Sequence, residues 1–356
     1  SSIISVSIKI GILHYTQNYI LYLIIDSLIT ITNSIILVMI VNRMYPYLKK
    51  KVTGKMDQET QKAITKNVKA IVLQNIGSYL VFGTDNIIIS SFVSVAAVGL
   101  YSNYYMLIEI CRTFINQVFN NIYHSVGNLV AKENMQKVYS IYKTYRFINF
   151  WLYSLFSIIL MIMLEPFISL WIGKEYLMDK GLLVVLMITF YERGMRNSIH
   201  TLKTTSGIFH EDRYVPLFQA AVNLVISIVL VQKMGIIGVF IGTLVSALVV
   251  PFWTTPYLVY RKVFNKPVSN YFGMYTLYLV IGMGTYIATS LLSNLIIIDD
   301  IFSLILKATV CLLVPNIIYV VIFHRTTEFQ YLLGIISALL SRFPKVSNKL
   351  SKKVDV

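Results

Sequence analysis

Glu109 and Arg112 stand three residues apart in the stretch SNYYMLIEICRTFINQVFNNIYHSVG (102–127), and Asn116, Asn120 and Asn121 follow. On a helix, a carboxylate and a guanidinium at that spacing share a face. They can neutralise one another, or with neighbouring amides they can hold a polar or anionic guest. Three other stretches carry groups of the same kind. Gln74, Asn75, Ser78, Tyr79, Asp85 and Asn86 fall on one broad helical face of 68–92. Tyr19, Tyr22, Asp26, Thr30 and Asn33 form a narrow stripe in 19–42, and Glu192, Arg193, Arg196, His200 and Lys203 share a side of 182–204.

The elements that must position these groups are strongly apolar. Of 356 residues, 56% are hydrophobic and only 13% charged, too little polar surface for a soluble chain of this length. Windows of about 20 apolar residues recur throughout, the pattern of an all-α polytopic membrane protein. Nine complete spans are expected near 19–42, 68–92, 102–126, 147–167, 182–204, 214–231, 237–260, 272–293 and 302–323. The opening SSIISVSIKIGIL covers roughly 20 Å as a helix, short of a hydrocarbon core of about 30 Å. The chain is therefore expected to begin partway through a helix, with an N-terminal portion missing.

Charge fixes the expected orientation. If residues 43–66 are cytoplasmic, the loops on that side hold 21 Lys or Arg, against Lys174, Lys180 and Lys233 on the other. That asymmetry is the positive-inside bias. It also accounts for the net charge of +15, so no nucleic-acid partner is expected. The segment TEFQYLLGIISALLSRFPK (327–345) spaces Phe329, Leu332, Leu333, Ile336, Leu339, Leu340 and Phe343 helically. It reads as an amphipathic helix in the inner interface, with a basic tail near anionic membrane lipids.

Within 102–126, Ser102, Tyr105, Arg112, Thr113, Asn116, Asn120 and Tyr123 lie within roughly 60° of Glu109, at about 100° per residue. Leu107, Cys111, Phe114 and Val118 take the other side. A charge facing lipid costs about 2.5–3.5 kcal/mol even on permissive insertion scales, so this stripe must face protein or water. Each residue alone has a plainer reading. Glu109 and Arg112 can pair for neutrality, Asn and Tyr can join helices by hydrogen bonds, and Arg193 and Lys203 can snorkel to headgroups. Four helices with polar faces, however, are most simply served by one water-filled cavity.

Catalytic signatures are missing. His14, His124, His200, His210 and His324 are scattered without HExxH spacing, and neither GxSxG nor GxxxxGK[ST] occurs. Cys111 and Cys311 lie far apart, offering no CxxC pattern, and no metal or other cofactor is expected. A cavity without catalytic machinery points to a transporter, not an enzyme.

Several stretches resemble one family in matching order: TDNIIISSFVSVAAVGLYSNY (84–104), GNLVAKEN (127–134), RNSIHTLKTTSGIFHEDRYVPLFQAAVNL (196–224) and GIIGVFIGTLVS (235–246). They are similar to the Wzx-type lipid-linked oligosaccharide flippases of the multidrug/oligosaccharidyl-lipid/polysaccharide exporter superfamily, over about residues 1–325. The resemblance implies a MATE-like helical bundle of two lobes around a cavity that opens alternately to each side. It assigns 1–42 to the end of a first lobe whose earlier helices are absent, and 43–67 to a basic interlobe loop. Residues 68–260 are then a six-helix second lobe, 261–323 two additional helices, and 324–356 a cytoplasmic amphipathic segment and tail. The implied substrate is an undecaprenyl-pyrophosphate-linked glycan, moved to the outer leaflet of a bacterial cytoplasmic membrane for capsule, O-antigen or other surface polysaccharide. A polysaccharide polymerase and a chain-length regulator are the implied partners. On that basis Arg112, Arg193 and Arg196 are candidates for the pyrophosphate, and Asn75, Asn116, Asn120 and Tyr105 for sugar hydroxyls. Asp26, Asp85 and Glu109 are candidates to carry a coupling H+ or Na+. The rival readings are a drug or metabolite cation antiporter of the same superfamily, whose cavity should be net acidic, a membrane polymerase or glycosyltransferase, and a non-catalytic subunit of a polysaccharide assembly complex.

Overall fold

A computed structural model describes residues 2–49, 57–297 and 300–340. Among these residues the chain is helical without strands. Six described helical stretches are long and apolar enough to cross a membrane, and the chain is an all-α, multi-pass membrane protein. It separates into two compact units, Ser1–Ala63 and Ile64–Val356.

The first unit begins with a helical hairpin, α1 (Ser2–Thr16) and α2 (Tyr19–Met44). The reversal takes two residues. Gln17 adopts a left-handed conformation (φ 49°), and the Asn18 side chain accepts from the Ile20 and Leu21 amides at 3.0 and 3.1 Å. That cap satisfies backbone donors a helix start leaves open. Across the hairpin Lys9 pairs with Asp26. No residue of α2 is buried, so its apolar side chains depend on lipid or other helices for cover. A short turn, Pro46–Lys49, follows; residues 50–56 of the expected interlobe loop lie outside the described residues.

The second unit contains every buried side chain among the described residues. Its helices are α3 (Gln58–Phe92), which starts at the end of the first unit, α4 (Val95–Lys132), α5 (Met135–Trp171), α6 (Lys180–Thr205), α7 (Val215–Met234), α8 (Ile236–Val249), α9 (Pro251–Val259), α10 (Ser269–Ser293), α11 (Ile301–Phe323) and α12 (Thr327–Leu340). Several run past the expected spans. Residues 58–67 and 135–146, read from sequence as loop, are the first turns of α3 and α5. Their polar residues break the hydropathy signal but not helix propensity. At 37 residues, α5 is roughly 55 Å long and must protrude from the bilayer core. All nine expected spans are helical, but α3, α4 and α6 are not among the six apolar stretches; they are the helices whose polar faces dilute the signal.

Two contacts set the close approaches. A Cβ on Gly242 of α8 would collide with Ser227 of α7, and one on Gly77 of α3 would lie 2.6 Å from Pro216 at the start of α7. The break between α8 and α9 falls at Val250, just before Pro251, where proline disfavours helical backbone. After α9 a wider π-turn, Tyr260–Phe264, ends at left-handed Asn265. Beneath it Arg146 of α5 is buried against the rings of Tyr142 and Tyr278, at 5.6 and 5.9 Å, and donates to Tyr260 Oη at 3.3 Å. Among the described residues no carboxylate pairs with it. The amphipathic α12 is fastened at its start: Phe329 is buried and stacks on Trp151, while Leu333 and Ile336 stay exposed. The basic tail beyond 340 lies outside the described residues.

Candidate functional site

Helix α6 presents Arg193, Arg196, Asn197, His200, Lys203 and Thr204 along one side because these positions recur at three- and four-residue intervals. Opposite them, α3 presents Gln74, Asn75 and Ser78 at the same periodicity. Between the two faces lies a cavity of about 550 Å3, completed by Phe209 and Asp212 of the α6–α7 loop, Gln219 of α7 and Thr255 of α9. It lies wholly within the second unit, and its size is that of a typical small-molecule site.

Two of the cavity's cations, Arg196 and Lys203, are engaged by carboxylates of the chain itself. Arg196 pairs with Glu192 one turn back, with Nη2 donating to Oε2 at 3.0 Å. Lys203 pairs with Asp212, and both side chains are almost completely buried. Gln74 Nε2 donates to the other Asp212 oxygen at 2.6 Å and to the Phe209 carbonyl at 3.0 Å. Burial pushes the Asp212 carboxyl above the usual aspartate range, and the Lys203 ammonium offsets this only in part. The snorkelling expected as one reading of Lys203 does not occur, because a buried acceptor lies within its reach. Arg193 sits at a junction, where the charges of Arg112, Arg196, Glu192 and Asp85 all act on it.

The sequence candidates divide among several places. Asn75, Arg193 and Arg196 are in the cavity wall. On α4, Glu109 and Arg112 pair with each other, and Asn116 accepts from the Tyr153 hydroxyl at 3.5 Å; none of them is in that wall. Tyr105 and Asn120 are exposed on the same helix, together with Ser102, Thr113 and Tyr123. Tyr101, Tyr104, Ile108, Ile115 and Phe119 form the buried side of α4. The polar stripe thus borders this buried side: Glu109, Arg112 and Asn116 are half-buried, while Tyr105 and Asn120 are exposed, as are the apolar Ile110, Phe114 and Val118. Asp26 belongs to the first unit, paired with Lys9. Asp85 is buried in the seam of α3, α7 and α8, accepting from Thr243 Oγ1 at 3.0 and 3.2 Å; Asn223 Nδ2 in turn donates to Thr243 Oγ1 at 2.9 Å. Gln74, Lys203, Asp212 and Gln219 are among the wall residues that were not candidates for substrate or ion. Gln74 and Lys203 were visible on polar faces; Asp212 pairs through a loop reversal that no helical periodicity reveals. Among the described residues no cluster of three or more His, Cys, Asp or Glu could hold a metal ion.

These features define a multi-pass helical membrane protein with a polar, cation-rich cavity. The chain belongs to the polysaccharide biosynthesis protein family, whose model matches residues 1–180. That match includes the α3 wall and ends where α6 begins. In comparisons with curated proteins and with solved structures, nothing matches the chain.

Proposed function

We propose that the chain acts as a flippase for polyprenyl-pyrophosphate-linked oligosaccharide repeat units, carrying them across a bacterial cytoplasmic membrane during surface-polysaccharide synthesis. The observation that supports this reading most is the cavity itself. Its wall carries Arg193, Arg196 and Lys203 against a single wall carboxylate, Asp212, with the amides of Gln74, Asn75, Asn197 and Gln219 beside them. Guanidinium forks suit phosphate oxygens and amides suit sugar hydroxyls. The same excess of cations disfavours the cation-antiporter reading, which needs a net acidic wall. In this proposal residues 68–260 form a MATE-like second lobe and 261–323 two added helices. The polar stripe of α4, with Arg112, Asn116, Asn120 and Tyr105, faces the aqueous path, since lipid would not tolerate it. Asp85 is the best placed coupling group. It is buried beside the Thr243 hydroxyl and Asn223, whose Oδ1 is buried without a partner, so oxygen groups are at hand for H+ or Na+.

The test is glycan display in cells that depend on this protein. Arg193→Ala and Arg196→Ala are expected to reduce surface polysaccharide at least about tenfold at equal membrane abundance, the loss of one charge-assisted contact. Undiminished display in both variants would overturn the reading.

A further inference from the structure

The loop between α6 and α7, residues 206–214, supplies Phe209 and Asp212 to the cavity wall; besides the Gln74 bond to the Phe209 carbonyl and the buried Ile208 side chain, two ionic ties hold it there. One is the buried group of Lys203, Asp212 and Gln74, in which both carboxylate oxygens are occupied. The other is an exposed pair, Lys262 to Glu211 at 2.7 Å, of a kind that adds little in water. The loop leaves α6 through Gly207 (φ 73°), and the Ile208 amide returns to the Lys203 carbonyl at 3.1 Å. Of these ties, the Asp212 carboxylate is the one whose donors an arriving anion can take over.

That carboxylate uses donors a phosphate guest would need. Lys203 and Gln74 both point their N–H groups at Asp212. Resting on the phosphate reading of this cavity, we infer that Asp212 is a built-in stand-in for the substrate's anionic group. It holds the phosphate position while the loop is latched, and an arriving phosphate or pyrophosphate displaces it. Binding and release of the loop are then one event. The device also selects for charge. A phosphate brings more negative charge and more acceptor oxygens than a carboxylate, so it can displace Asp212, whereas an uncharged sugar or a zwitterionic headgroup cannot. Asp212 is accordingly a specificity-determining residue that never needs to touch the substrate.

The test uses the whole protein in inside-out membrane vesicles. The readout is the rate at which trypsin cuts between Arg213 and Tyr214, within the loop. Inorganic pyrophosphate should raise that rate about tenfold over chloride at equal ionic strength, the effect of about 1.4 kcal/mol. In Asp212→Asn the cut should be fast without pyrophosphate and indifferent to it, and Asp212→Glu should restore the slow, responsive behaviour. Calorimetric titration of the purified protein with pyrophosphate separates the two readings. Binding without faster cutting overturns the latch alone; no binding overturns the phosphate reading and the latch together. The wild-type arm decides the matter even if a variant fails to insert.

Discussion

At the scale of single residues, the buried ion pairs govern what substitution does. Glu192 is almost fully buried and its partner on the next turn is Arg196. Arg196→Ala should lower stability by about 3–5 kcal/mol, because it leaves a buried charge unpaired. Glu192→Gln added to it should restore most of the loss, which thermal unfolding in detergent would measure. Asp212 gives the pH dependence. Burial raises its carboxyl from the ordinary value of 3.8, so it takes up a proton at less acidic pH than an exposed aspartate. The folded state, with Asp212 latched and buried, then holds that proton more tightly than an unlatched or unfolded chain does, so acidification favours the latched loop, and rising pH, which charges the buried carboxyl, favours its release. The facing groups are Lys203 of α6, Gln74 of α3 and neighbouring Glu211. Spin labels at Ile71→Cys and Phe209→Cys, with Cys111 and Cys311 replaced by serine, should draw together as pH falls and separate as it rises, with a midpoint above 3.8; Asp212→Asn should abolish the response. The arginines of this site were legible in sequence because a charge recurring every three or four residues declares its own face. Asp212 was not, since its significance arises from Gln74, distant in sequence on another helix.

At the scale of elements, the approach of α3 to α7 decides whether the cavity closes on that side. Gly77 meets the backbone of Pro216 and Leu217, which cannot move aside as a flexible side chain can. Gly77→Val should push the helices apart, costing about 1–3 kcal/mol, and should open Ser78→Cys to aqueous thiol reagents at a rate several times that of the parent. Unchanged alkylation would show that α3 does not depend on this contact. Helix existence was readable from hydropathy in all nine expected spans, while helix ends were not. The starts of α3 and α5 are polar, and continuation of a helix past the bilayer leaves no trace in an apolar count. The polar stripe of α4 was also readable as a stripe, but periodicity alone did not reveal that it borders the core of its own unit, with Asn116 bonded to buried Tyr153 and Phe114 exposed.

For the whole molecule, all buried side chains among the described residues belong to the second unit. A chain beginning at Asp57 should therefore insert and unfold with a midpoint within a few degrees of the full chain, as little folding free energy is removed; a collapse of the midpoint would show that the α1–α2 hairpin is structurally indispensable. One further consequence lies in Arg146. Its charge is held by tyrosine ring faces and a hydroxyl, and a guanidinium does not lose its proton in proteins. Nothing in that grip titrates where carboxylates do. The corner joining α5, the π-turn and α10 is thus an acid-proof pivot, so a change in proton concentration that loosens the 206–214 loop would leave the frame against which the loop swings undisturbed.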